Sequence, residues 1–170
     1  MIRNILFLSS ILYLMYFCSP YSKISQNEQK PKKQPINIEK LPTLADKVIW
    51  TAVSYKGTPY KFGGLNKKGM DCSGLVYTSF KQRNIDLPRT SKLMYNRGFA
   101  VSIDKVKRGD LLFFKTAKKN RGVNHVGLVT SVNKEDIKFI HATVSKGVLV
   151  SSLQQKYWKK SFVKAKRIVE

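Results

Sequence analysis

With 170 residues and 42% apolar content, the chain is bounded to one globular domain with a real core. Its 32 Lys and Arg against 10 Asp and Glu give a formal net charge of +22. That excess says nothing about fold, but it excludes indifference to polyanions and predicts adhesion to nucleic acid, anionic lipid or acidic cell-wall polymers.

Behind Arg3, Ser9 and Ser10 interrupt an otherwise apolar run that ends at Phe17. The run is too short to span a bilayer comfortably and reads as a signal-peptide core, with an uncleaved membrane anchor as the rival reading. Bulky Met15, Tyr16 and Phe17 exclude an A-x-A-like cleavage site. Cys18 follows directly, ahead of Ser19 and a polar tail. This resembles the start of a bacterial lipoprotein, with Cys18 lipidated, although Phe17 stands where a small residue is usual. Residues 19–40 are rich in Lys, Gln, Asn and Pro and cannot bury a core, so they read as a flexible tether. The expected organisation is therefore a leader over 1–18, a tether over 19–40 and a domain over 41–170. Export makes nucleic acid a poor partner. It places the protein outside the cytoplasm, in the cell envelope, membrane-anchored through Cys18 or else periplasmic or secreted. With Cys18 assigned to lipid, Cys72 is left as an unpaired exported thiol, for which catalysis is one explanation.

The domain opens with "TLADKVIWTAVSYKG", a helical stripe in which Thr43 and Asp46 have capping-box spacing and Gly57 is a stop. "TPYKFGGLNKKG" is a loop punctuated by Pro59, Gly63, Gly64 and Gly69. Asp71 is placed to N-cap a second helix over about Cys72 to Gln82, with Cys72, Leu75, Val76 and Phe80 on its buried face. "PRTSKLMYNRG" reads as a short helix ending near Gly98. Then "DLLFFK", "HVGLVTSV", "KFIHATV", "GVLVSSL" and "FVKAKRIV" read as short strands. Helices first and strands second predict an α+β domain with an antiparallel sheet.

Cys72 at a helix start meets unpaired backbone N–H groups and the helix dipole, which favour a thiolate and predict a pKa below the free value of about 8.5. Ser73 and Gly74 are small, leave the approach to sulfur open, and offer N–H groups for an oxyanion. The chain has two histidines, His125 and His141, both in the β half. In a hairpin register that pairs Val132 with Asp136 and Gly127 with His141, both face one side of the sheet; a one-residue slip would separate them. On one side, one imidazole can deprotonate Cys72 while the other orients it. Zinc is the rival use of the same three side chains, but their spacing matches no metal motif and acidic ligands are scarce.

"GTPYKFGG", "DCSGLV", "LPRTS", "KRGDLLFF", "NHVGLV" and "FIHAT" occur in that order. Together they resemble the NlpC-type cell-wall peptidases, a branch of the papain-like cysteine peptidases, from about Lys47 to Val169. The resemblance implies a papain-like fold with N-terminal helices packed on a C-terminal antiparallel sheet, and no cofactor or metal. It implies Cys72 as nucleophile, His125 as general base and His141 as the residue orienting it. Tyr60 matches a tyrosine near the oxyanion site, Asp71 and Ser73 match residues that hold the free amino end of the substrate, and Arg89 matches a pocket-edge position. The implied reaction is hydrolysis of peptidoglycan stem peptides, commonly between D-γ-glutamate and a diamino acid, through a thioester. The implied partners are stem peptides; the Lys-rich tether and basic surface add an anionic membrane or wall surface, and the protein is expected to act as a monomer. Two other readings stay open: a non-enzymatic basic envelope protein that binds wall polymers, and a papain-like amidase or acyltransferase on another substrate.

Overall fold

The computed structural model describes residues 41–117, 122–134 and 136–169. The leader, Cys18 and the tether lie outside the described residues. Helix α1 spans Leu44–Val53 and starts on the expected capping box: the Thr43 hydroxyl accepts from the Asp46 N–H, and the Asp46 carboxylate accepts from the Thr43 N–H, each at 3.1 Å. Its buried face carries Val48, Ile49 and Ala52. The loop after it contains a small ladder not foreseen in the sequence, β1 (Leu65–Asn66) against β2 (Gly69–Met70). Helix α2 follows at Cys72–Lys81 with Asp71 as N-cap, and burying Leu75, Val76 and Phe80 holds it on the core. A single turn, α3 (Ser91–Met94), closes the helical half.

The remaining strands form one antiparallel sheet. They are β3 (Phe99–Val101), β4 (Leu111–Phe114), β5 (His125–Val132), β6 (Ile137–Thr143), β7 (Gly147–Ser152) and β8 (Phe162–Arg167), in the order β3-β8-β4-β5-β6-β7. Strand β3 and helix α4 (Lys156–Ser161) are additions to the sequence reading. Side chains alternate across the sheet and divide the core in two. Leu111, Phe113, Val126, Leu128, Ile140 and Ala142 face α1 and α2. Leu112, Phe114, Val129, Phe139 and Ala165 pack on the other face, where Trp158 of α4 joins them.

The hairpin register corrects the sequence reading. At the turn, Val132 pairs with Ile137, not Asp136, and Ser131 with Lys138. That is the slipped register, which by itself would part the histidines. A β-bulge between Val129 and Ser131 inserts Thr130, after which Val129 pairs with Phe139 and Leu128 with Ile140. The bulge restores the other parity before the strand reaches His125, so both imidazoles emerge on one face.

Candidate active site

The face shared by the histidines is not the face on which α2 lies. His125 pairs with Phe114 across the ladder and belongs to the row of Val129, whereas α2 packs on the row of Val126 and Leu128. The thiol and the imidazole reach one cavity instead, where β5 begins. The start of α2 supplies Cys72, the start of β5 supplies His125, and both line one cavity of about 490 Å³ together with Tyr60, Asn124 and Trp158. The N–H of Val126, one residue beyond His125, donates toward the Cys72 sulfur.

The two imidazoles form a buried chain. His125 Nε2 lies 2.9 Å from His141 Nδ1, and His141 Nε2 lies 2.9 Å from Ser151 Oγ. His141 is fully buried and His125 nearly so. Trp158 stacks on His125 with centroids 5.2 Å apart and stands nearly perpendicular to His141 at 4.6 Å. Phe139 and Phe114 close the remaining sides. Burial in this aromatic box lowers His125 to about 4 and, with the added repulsion of His125, lowers His141 to about 3. Both rings are neutral near pH 7. Because Nε2 of His125 is taken by His141, Nδ1 is the nitrogen left for a thiol proton.

Burial also pushes the Cys72 thiol up, and the Asp71 charge adds to it. The N–H groups of Val126, Ser73 and Cys72 itself pull the other way without prevailing. This overturns the expected lowering: the helix start helps a thiolate, but desolvation of the sulfur is larger. A second expectation fails for Gly74. The Gly74 N–H is spent on the Asp71 carboxylate at 2.6 Å and cannot serve an oxyanion. Gly74 is small for a different reason: a Cβ there would collide with the Gly64 carbonyl, so the helix start and the loop carrying Tyr60 could not pack.

Asp71 is a hub. Its two oxygens accept from Gly74 N–H, from Gly63 N–H at 2.7 Å, from Ser73 Oγ at 3.1 Å and from both Nη groups of Arg89 at 3.0 and 2.8 Å. Arg89 also donates to Ser73 Oγ at 2.9 Å. Burial would raise the carboxyl, but the Arg89 and backbone hydrogen bonds and the Arg89 charge outweigh it and hold Asp71 below the usual range. Asp71, Ser73 and Arg89 line a second cavity, of about 370 Å³, which Cys72 also borders. Tyr60 borders both cavities. Burial, then the charges of Cys72 and Asp71, raises its phenol, so the hydroxyl stays a donor. The structure thus brings every site residue foreseen within 41–170 to one region. Sequence reasoning missed Ser151, Trp158 and Asn124. Asn124 is clipped to Thr116, accepting from its N–H at 2.8 Å and donating to its hydroxyl at 3.0 Å.

Comparison with known proteins agrees with this architecture. The model of the NlpC/P60 family matches residues 57–167. The chain is 43% identical over 116 residues to the probable endopeptidase NlpC of Escherichia coli strain K12, covering 68% of this chain and 72% of that protein. It is 37% identical to the murein DD-endopeptidase MepS/murein LD-carboxypeptidase of the same strain, covering 68% of this chain but 58% of that longer protein. Its fold superposes on the crystal structure of an NlpC/P60 family protein from Bacillus cereus ATCC 10987 with a TM-score of 0.68 and 27% identity. That match covers 76% of this chain and 42% of the other.

Proposed function

This chain belongs to the NlpC/P60 family and is a hydrolase of the cell-wall endopeptidase kind; we propose that it cuts peptidoglycan stem peptides between D-γ-glutamate and a diamino acid, with Cys72 as nucleophile. The observation that carries the reading is the shared cavity of Cys72 and His125 backed by the His125–His141 contact. The relative named as a murein endopeptidase supports the substrate class.

In the proposed reaction the resting pair is a thiol and a neutral imidazole. His125 Nδ1 takes the thiol proton as sulfur attacks the peptide carbonyl carbon. The carbonyl oxygen becomes an oxyanion facing the N–H of Cys72, the first residue of α2, and the Tyr60 hydroxyl. Collapse breaks the C–N bond; the amine leaves with the proton held on His125, and a thioester to Cys72 remains. Water then attacks, His125 accepts a water proton, and that proton returns to sulfur as the acid departs. His141 keeps the base aligned. Asp71, Ser73 and Arg89 border the cavity for the acyl side of the substrate. Export and lipidation at Cys18 would hold the enzyme in the envelope, and the basic surface would draw it to anionic polymer. Intact mass of membrane-extracted protein, with or without a diacylglyceryl group, decides the anchor.

The test is digestion of purified peptidoglycan with the full chain and mass spectrometry of the fragments. New amino ends on the diamino acid are expected. Fragments cut at the D-alanyl cross-link would instead reject the assigned bond, and equal release by Cys72→Ala would reject the mechanism.

A further inference from the structure

We propose that Ser151 is a positioning residue of this site: as acceptor for His141 Nε2–H it fixes the tautomers of both imidazoles, so that His125 presents a bare Nδ1 to Cys72. The inference rests on the assignment of His125 as base, and it concerns a side chain outside the sulfur, base and orienter.

The geometry allows few alternatives. Ser151 pairs with Phe139 in the β6–β7 ladder, while His141 pairs with Leu149. Ser151 is therefore a diagonal neighbour of His141 on the same face, within reach of its outer nitrogen. The chain Ser151–His141–His125 has two contacts of 2.9 Å and two neutral rings. Each neutral ring carries one N–H, and each contact needs one proton. Only two arrangements satisfy both contacts. If Ser151 donates, the protons sit on His141 Nδ1 and His125 Nδ1; His125 then carries its N–H on the nitrogen left for the thiol proton and cannot act as base. If Ser151 accepts, the protons sit on His141 Nε2 and His125 Nε2, and Nδ1 of His125 is free.

The thiol end of the chain favours the second arrangement. A buried thiol is a better donor to an imidazole lone pair than it is an acceptor of an N–H. At the other end the surroundings of His141 are Phe139, Trp158 and His125. No carboxylate among the described residues hydrogen-bonds either ring, so the hydroxyl of Ser151 stands where other enzymes place a charged orienter. When His125 becomes imidazolium, it donates through Nε2 to His141 Nδ1. That acceptor is strengthened by the His141 Nε2–H bond to Ser151.

The chain holds only two histidines, so the imidazole ¹⁵N spectrum of the full-length protein contains two spin systems. Wild type is expected to show both as Nε2–H tautomers. Ser151→Ala is expected to mix the tautomers and lower kcat by about tenfold with KM little changed. It is also expected to move the acid limb of kcat/KM to lower pH, since the imidazolium loses support. Ser151→Thr, which keeps a hydroxyl on a strand, is expected to restore tautomers and rate. His125 protonated at Nδ1 in wild type overturns the proposal, and so do unchanged tautomers and rate in Ser151→Ala. Should Ser151→Ala fail to fold, the wild-type spectrum and Ser151→Thr still decide. Cleavage by Cys72→Ala would sink the function while leaving the tautomer measurement standing, so the two failures are distinct.

Discussion

The chain uses the same pair of side chains twice. Beside Cys72, the proposed nucleophile, Arg89 grips Asp71 through both Nη groups at 3.0 and 2.8 Å. At the turn before β4, Arg167 grips Asp110 through Nε and Nη2 at 2.7 and 2.8 Å. Both are two-point forks with a buried carboxylate. They differ in what else the carboxylate touches. Asp110 also accepts from Lys107 N–H, and Arg167 donates to the Lys105 carbonyl, so that fork ties a turn to β8. Asp71 holds Gly63, Ser73 and Gly74, so its fork ties the Tyr60 loop to the start of α2, where Cys72 stands. A buried fork alone therefore says nothing about function; the elements it joins do.

Breaking each fork tests that contrast. Asp110→Ala leaves a guanidinium without its carboxylate in a largely buried place, and a loss of about 3–5 kcal/mol is expected in urea titration. The activity of the folded fraction should not change. A large fall in kcat/KM per folded molecule would mean that this fork also shapes the site. Asp71→Asn should show the converse. Asparagine still caps a helix, so stability should fall less. Loosening the Tyr60 loop against Cys72 is expected to lower kcat/KM by about 100-fold. Full activity in Asp71→Asn would reduce Asp71 to a helix cap.

Acid sharpens the comparison. His125 and His141 sit near 4 and 3, below the ordinary 6.5. The unfolded chain therefore binds protons that the folded chain refuses between about pH 6.5 and 4, and stability falls as pH drops through that window. Each ring contributes up to about 1.4 kcal/mol per pH unit there. Above 6.5 the contribution is complete. Asp71, held low by Arg89, keeps its charge through this range, and its own contribution goes only at lower pH. Urea midpoints from pH 7.5 to 4.5 should show this slope, and His141→Asn should flatten it. An unchanged slope in that variant would place the acid sensitivity elsewhere.

Local signals in the sequence carried much of this. Thr43 with Asp46 and Asp71 before Cys72 fix two helix starts by short-range hydrogen bonds, and both stand in the structure. The strand runs and the order of helices before sheet were equally legible. What was not legible depends on contacts made late. Thr130 is an ordinary strand residue until the ladder forms, so no residue-level pattern marks the bulge that brings the histidines together. The six residues of α4 have no side-chain cap, and their value lies in Trp158 meeting two distant rings. Gly74 looked like clearance for the sulfur, whereas it is clearance for Gly64. The raised thiol is not legible either, because a helix start is visible in sequence and burial of the sulfur is not.

A third ion pair sets the lower end of the scale. Lys81 Nζ lies 2.6 Å from Asp86 Oδ1, closer than any contact in the Arg89–Asp71 fork. Distance alone would rank it first. Both side chains are largely exposed, however, at 55% and 80%. Water screens their attraction, and holding a long lysine in one rotamer opposes it. The bond pushes Lys81 upward in pKa, but a solvated ammonium gains little from that. Asp86→Ala is therefore expected to leave kcat/KM unchanged and to move Tm by less than replicate scatter, at low salt as at high. A clear drop in Tm at low salt that vanishes at high salt would show that exposed pairs stabilise this strongly basic chain, and the ranking of the forks by burial would then need revision.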